Sequence, residues 1–226
     1  MTGSLLEVIA LDVRDAVAAE DGGADRLEIV ADISAGGLTP APETVEAITK
    51  QSALPQMVML RSNSGYTVTP DELESLGRAA RTLASAGAAG FVFGFLDAAG
   101  AVDLAATEAL IHAVTPLPWT FHRAVDHAAD VQAGWRAVRL LPNLATVLTS
   151  GSSSGIAGGL PVLRARAEAG DAPLILAGGG LEPHLVPPLL DYGVRAFHVG
   201  RAVRGSWSAP VDRERVRRWR DLVDTV

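Results

Sequence analysis

The chain has 226 residues, 48% of them hydrophobic and 20% charged, with a formal net charge of -7 and no cysteine. This composition sustains one large core and excludes disorder, and its acidic balance argues against nucleic acid or an anionic membrane as partner. Without cysteine there is no disulfide, thiolate metal site or cysteine nucleophile.

Short apolar runs alternate with helical patterns in chain order. Runs at 5–11, 26–31, 56–61 and 90–96 are followed by helical patterns at 13–22, 40–51, 70–86 and 103–114. Runs at 119–124, 145–150, 174–177 and 196–200 are followed by patterns at 130–140, 156–168, 182–191 and 212–223. Thr69-Pro-Asp-Glu72 reads as a capping box with proline at the first helical position. Asp103, Asp130 and Asp212 stand where N-caps belong. Helical spacing shows in Leu73, Leu76, Ala80 and Leu83, and again in Val216, Trp219 and Val223. Glycines at 22–23, 87 and 193 suit left-handed helix ends, and Pro55, Pro118 and Pro173 open strands where a missing N–H costs least.

Eight strands, each followed by a helix, predict the α/β class and a single (β/α)8 TIM barrel over residues 1–226. An open doubly wound sheet ranks below it, because strand and helix counts match and no second domain is apparent. No stretch reaches the roughly 18 apolar residues of a membrane span. The opening residues, interrupted by Glu7, do not read as a signal peptide. A cytoplasmic protein without a membrane partner is expected.

A barrel of this kind places its active site at the C-terminal strand ends. The stretch Trp119-Thr-Phe-His-Arg-Ala-Val-Asp126 begins as a core strand and ends in ionisable groups. His122, Arg123 and Asp126 are therefore candidate catalytic residues, together with Glu7, Glu28 and Arg61. A carboxylate inside an apolar strand costs several kcal/mol unless paired. Glu7 and Glu28 thus read equally as an interior ion-pair network with Arg26, Arg61 or Arg123, or as acid–base or metal-binding carboxylates. His122 and His198 are the candidate metal-binding histidines; His112, His127 and His184 belong to the surface. Ser150 and Gly151 after the sixth strand, Gly178, Gly179 and Gly180 after the seventh, and Gly200 and Arg201 after the eighth form a candidate anion site, because bare N–H groups at those loops bind phosphate.

Several of these segments together resemble the copper homeostasis protein CutC family. They are Leu6-Glu-Val8, Gly22-Gly-Ala-Asp-Arg-Leu-Glu28, Gly36-Gly-Leu-Thr-Pro40, Arg61, Phe93-Gly94, Thr120-Phe-His-Arg-Ala124 with Asp126, Leu148-Thr-Ser-Gly151, Gly178-Gly-Gly180 and Phe197-His198. The resemblance implies a cytoplasmic barrel that assembles as a homo-oligomer, dimer or tetramer, and is associated with copper handling or copper binding. The family often has cysteine where Ile9 and Val30 stand here, and Arg61-Ser-Asn-Ser-Gly65 replaces its Arg-Pro-Arg-Gly-Gly loop. The soft thiolates that Cu(I) prefers are thus missing. Met57 and Met59 remain as thioethers on one strand face, and core packing is their simpler role. Mixed nitrogen and oxygen ligation suits copper or another divalent metal such as Zn, Mn or Mg.

Three functions are compatible with these residues. One is a copper-binding protein. Another is a lyase, isomerase or epimerase acting on a small anionic metabolite, phosphorylated or not, with Glu, His and Arg and a divalent metal. The last is a non-catalytic scaffold. The only lysine, Lys50, falls at the end of the second helical pattern, which disfavours a Schiff-base aldolase.

Overall fold

A computed structural model describes residues 3–225. Eight parallel strands form a closed barrel in sequence order, with β1 paired to both β2 and β8. The strands are β1 Leu5–Ala10, β2 Arg26–Ile29, β3 Gln56–Met59, β4 Gly90–Phe93, β5 Trp119–Phe121, β6 Leu144–Thr149, β7 Ile175–Ala177 and β8 Ala196–Val199. The helices between and after them are α1 Val13–Gly22, α2 Pro42–Thr49, α3 Pro70–Ala86, α4 Leu104–Val114, α5 Val131–Val138, α6 Ile156–Arg166, α7 Val186–Asp191 and α8 Arg213–Val223. The (β/α)8 reading therefore holds.

The local signals act as expected. Thr69 and Glu72 form the reciprocal capping box, and Asp103, Asp130 and Asp212 cap α4, α5 and α8. Gly23, Gly87 and Gly193 take left-handed backbone angles at helix ends. Seven of the eight strands end earlier than their apolar runs; the seventh ends with its run at Ala177 and begins one residue later. At the C-terminal rim the chain leaves the ladder to turn, so Arg61, His122, Ser150 and Gly200 sit on loops just beyond the strands.

Alternation along each strand divides the core in two. Leu6, Val8, Leu27, Ile29, Val58, Phe91, Phe93 and Phe197 belong to the main cluster with the helices. Ile9, Val30, Met57, Met59 and Val92 form a separate interior cluster. Both methionines thus serve packing, and Met59 also reaches the cavity.

Gly159, in the second turn of α6, is needed for close approach. A Cβ there would lie 1.8 Å from the Ser150 carbonyl oxygen. Helix propensity alone favours alanine by roughly 1 kcal/mol. Gly159→Ala is nevertheless expected to destabilise by about 1–3 kcal/mol, because α6 must move away from the end of β6. Urea denaturation checks the sign; a stabilised variant would refute this docking geometry.

Candidate functional site

Closure of the barrel brings residues from opposite ends of the chain into one layer. Glu7 on β1 is in register with Arg26 on β2 and with His198 on β8. Arg26 Nε donates to Glu7 Oε2 at 2.5 Å, and His198 Nδ1 meets Glu7 Oε1 at 2.8 Å. Burial alone would raise the Glu7 carboxyl, but Arg26 and His198 outweigh it and hold Glu7 below its ordinary range. Glu28, one pleat nearer the mouth, has no arginine partner among the described residues. Its Oε2 lies 3.7 Å from His198 Nε2, and its buried Oε1 has no hydrogen-bond partner among them. Burial pushes Glu28 up to about 7, against the pull of His198. The same carboxylates reverse the effect of burial on His198, Glu28 first and then Glu7, and raise its affinity for a proton. Of the arginine pairs expected from sequence for this interior network, only Glu7–Arg26 forms among the described residues, and His198 supplies the remaining partner to Glu7 and Glu28. Arg61 and Arg123 take no part.

A cavity of about 790 Å³ opens above this layer. Glu28, His198, Arg61, His122 and Arg123 line it, over a floor that includes Ile9, Val30, Met59 and Leu148. His122 Nδ1 accepts from the Ala124 N–H at 3.2 Å, which leaves the hydrogen on Nε2. Burial first, and then the charge of Arg61, lower His122 to about 3. His122 is thus a neutral hydrogen-bond donor across the physiological range.

Arg61 spends its donors on backbone, giving Nε to the Gly65 carbonyl at 3.2 Å, Nη1 to Gly36 at 3.1 Å and Nη2 to Ser64. No carboxylate pairs with it among the described residues. Its positive charge therefore faces the cavity while its orientation is fixed by three loop carbonyls. Arg123 Nε bonds Asp126 at 3.1 Å and Nη2 bonds the Ser150 hydroxyl at 3.1 Å.

Several expected site residues sit behind the wall instead of on it. Glu7 is fully buried beneath Glu28 and does not line the cavity. Asp126 is also buried; it accepts from the Thr149 hydroxyl and from the Ser150 N–H and hydroxyl, and so positions Arg123. Ser150 is occupied by Asp126, Arg123 and the Ser152 carbonyl. The Gly151 N–H bonds Thr149 Oγ1 and the Gly178 N–H bonds the Thr149 carbonyl. These internal bonds remove Ser150, Gly151 and Gly178 from the expected anion wall. Gly179, Gly180, Gly200 and Arg201 do line the cavity. His112, His127 and His184 are exposed, as expected.

The CutC family model matches residues 4–203. The chain belongs to the CutC family. A family protein CutC from Citrobacter koseri is 35% identical over 209 residues, covering 91% of this chain and 82% of the relative. One from Klebsiella pneumoniae subsp. pneumoniae is 34% identical over 196 residues, covering 86% and 79%. The solved CutC structure from Streptococcus agalactiae superposes with a TM-score of 0.79 at 22% identity, covering 87% of this chain and 98% of the other. The phosphoribosyl anthranilate isomerase of Thermococcus kodakaraensis shares the fold at a TM-score of 0.68 and 15% identity, covering 99% and 100%.

In this CutC chain the Gly36-Gly-Leu-Thr-Pro40 segment acquires a physical role. Thr39 Oγ1 accepts from the Arg61 N–H at 2.8 Å and donates to the Arg61 carbonyl at 3.1 Å, while Gly36 receives the guanidinium. The segment is a clasp for Arg61. Ile9 and Val30 both line the cavity as apolar floor.

Two aromatic residues at the cavity mouth are not singled out by the sequence. Tyr66 lies under the Arg61 guanidinium at 5.0 Å, edge-on to His122 at 5.6 Å and against His127 at 4.9 Å. Trp207 is 40% exposed at the rim and stands over Arg204 at 5.7 Å. An aromatic a few residues past a strand-end arginine was the available signal for Tyr66; Trp207 carried none.

Glu7, Glu28 and His198 offer possible metal-ligand atoms within 4.8 Å of one another. His122 is not part of that cluster. As the side chains stand, both Glu7 oxygens are engaged by Arg26 and His198, and the Glu28 Oε1 atom is left free. The nearby Arg26 charge and the raised proton affinity of His198 also oppose a further positive charge. A resident cation therefore fits poorly unless those contacts are displaced. No helix among the described residues is long and apolar enough to cross a membrane.

Proposed function

We propose that this CutC family member is an acid–base enzyme for a small anionic carbonyl compound, an isomerase or epimerase acting at the cavity mouth. One observation carries the reading: Glu28 is a buried carboxyl raised to about 7, with an unpartnered oxygen in a cavity of cationic character. A carboxyl with that affinity exchanges protons near neutral pH. Ionised Glu28 would take the proton from a carbon beside a carbonyl. The C–H electron pair then forms the enolate C=C bond as the carbonyl π pair moves to oxygen. Neutral His122 offers its Nε2–H to that oxygen, and Arg61 supplies fixed positive charge. Return of the proton by Glu28 to the neighbouring carbon, with the hydroxyl proton there passing to the enolate oxygen, gives an isomer; a proton delivered by solvent water to the opposite face, with Glu28 releasing its own proton to solvent, gives an epimer. His198 and Glu7 hold Glu28 in its intermediate state.

The test is solvent deuterium incorporation into a panel of small 2-hydroxy aldehydes, ketones and their phosphate esters. Exchange that depends on Glu28 and His122 supports the reading, and no exchange across the panel contradicts it.

A second reading is copper handling, with copper as cargo. The family resemblance and the copper homeostasis named for the Streptococcus agalactiae structure suggest it. The Met59 thioether beside the cavity is a soft donor that suits it, and Glu7, Glu28 and His198 would join as ligands once copper displaces the Arg26 and His198 contacts of Glu7. Titration with Cu(II) and Cu(I) is expected, on this reading, to show micromolar or tighter binding that Glu28→Gln and His198→Ala both abolish. Binding weaker than micromolar excludes it. A cytoplasmic setting and assembly as a dimer or tetramer belong to the same proposal and rest on the family resemblance.

A further inference from the structure

We propose that the wall formed by the β7 and β8 loops is a subsite for a phosphate monoester dianion. The proposal deepens the acid–base reading by assigning the substrate's anionic handle, and it rests on that reading for what the bound molecule then undergoes.

Gly179, Gly180 and Gly200 border the cavity, and their N–H groups have no acceptor among the described residues. Neighbouring Gly151 and Gly178 spend theirs inside the protein, so the two kinds of glycine divide by location. Gly179 and Gly180 have φ of +82° and +86°, a region that favours glycine. A Cβ on Gly179 would lie 2.8 Å from Arg123 Nε, so only glycine lets this backbone approach that guanidinium. A Cβ on Gly180 would meet nothing within 4 Å, which leaves its backbone open to the cavity.

Charge points the same way. In a chain of net charge -7, this cavity is bordered by Arg61, Arg123, Arg201 and Arg215 against Glu28 and Glu182. Arg201 donates Nη1 to the Arg204 carbonyl at 3.1 Å and has no carboxylate partner among the described residues. Glu182 is largely exposed and lies 3.5 Å from His184. Uncommitted amides beside an unpaired arginine favour a compact, multiply charged oxyanion over a planar carboxylate or a neutral polar group.

Trp207 provides the reporter. Its ring lies close enough to Gly200 that a Cβ there would be 2.8 Å from it, and it is 40% exposed, whereas Trp119, Trp135 and Trp219 are buried. Inorganic phosphate titrated into the intact protein is expected to bind saturably by calorimetry and to change tryptophan emission, a change absent in Trp207→Phe. Arg201→Gln, at an exposed position, should fold normally and weaken phosphate at least tenfold. Arg164→Gln, which removes a surface arginine paired with Glu168, should bind as wild type. Glu28→Gln should retain phosphate within about threefold while losing deuterium exchange. Absence of saturable phosphate binding, or equal weakening by Arg201→Gln and Arg164→Gln, overturns the subsite and leaves the acid–base reading standing. Phosphate binding without exchange in any phosphorylated carbonyl compound has the reverse meaning.

Discussion

Glu28→Gln is expected to lower proton exchange by roughly 10²–10⁴-fold while preserving the fold, because glutamine keeps the shape and removes the proton carrier. The same variant should reveal the carboxyl through stability. Glu28 is raised from 4.5 to about 7 in the folded protein, so the folded state binds more protons than the unfolded state between those values. Its contribution therefore falls as pH rises from 4.5 towards 7 and is flat above that window. A shift of this size corresponds to up to about 3 kcal/mol. Relative to wild type, Glu28→Gln should become more stable on going from pH 5 to pH 8. Melting curves at the two pH values decide the sign, and a difference that is constant or opposite would show that Glu28 is not held in its neutral form by burial.

The largest stability effect is expected at Arg204. This side chain is fully buried, with Nη1 3.2 Å from Asp15 Oδ2 and Nη2 donating to the Ile9 carbonyl at 2.5 Å. Asp15 also accepts from the Leu11 and Val211 N–H groups, so it cannot simply leave. Arg204→Ala strands a buried carboxylate and the Ile9 carbonyl at once, and about 3–5 kcal/mol should be lost. The break falls where the segment after β8 grips the end of β1, so substrate-side geometry should loosen as well. Chemical denaturation measures the loss; a change below about 1 kcal/mol would mean that water replaces the guanidinium.

The architecture was legible because its signals are local. Thr69 and Glu72 sit three residues apart, Gly87 closes the same helix, and Asp212 opens the last one. The site was only partly legible, since its geometry comes from closure. Nothing near Glu7 in sequence announces His198, 191 residues away, yet β1–β8 pairing places them at hydrogen-bond distance. Strand alternation places Arg26 and Glu28 on one face, but it does not show that Glu7 takes the arginine and leaves Glu28 without it. Asp126 looked catalytic from its place at a strand end. The turn at Arg123–His127 buries it instead against Thr149 and Ser150, where it orients Arg123. The glycines at 151 and 178 looked equivalent to those at 179, 180 and 200, and only the hydrogen-bond partners of their amides distinguish them.

Barrel closure holds one carboxyl between its two protonation states at the mouth of a cationic cavity. Carbon-13 NMR titration of the Glu28 side-chain carboxyl, assigned by comparison with Glu28→Gln, tests it most directly. The structure predicts a titration near pH 7, coupled to that of His198. A simple titration near 4.5, independent of His198, would contradict the account.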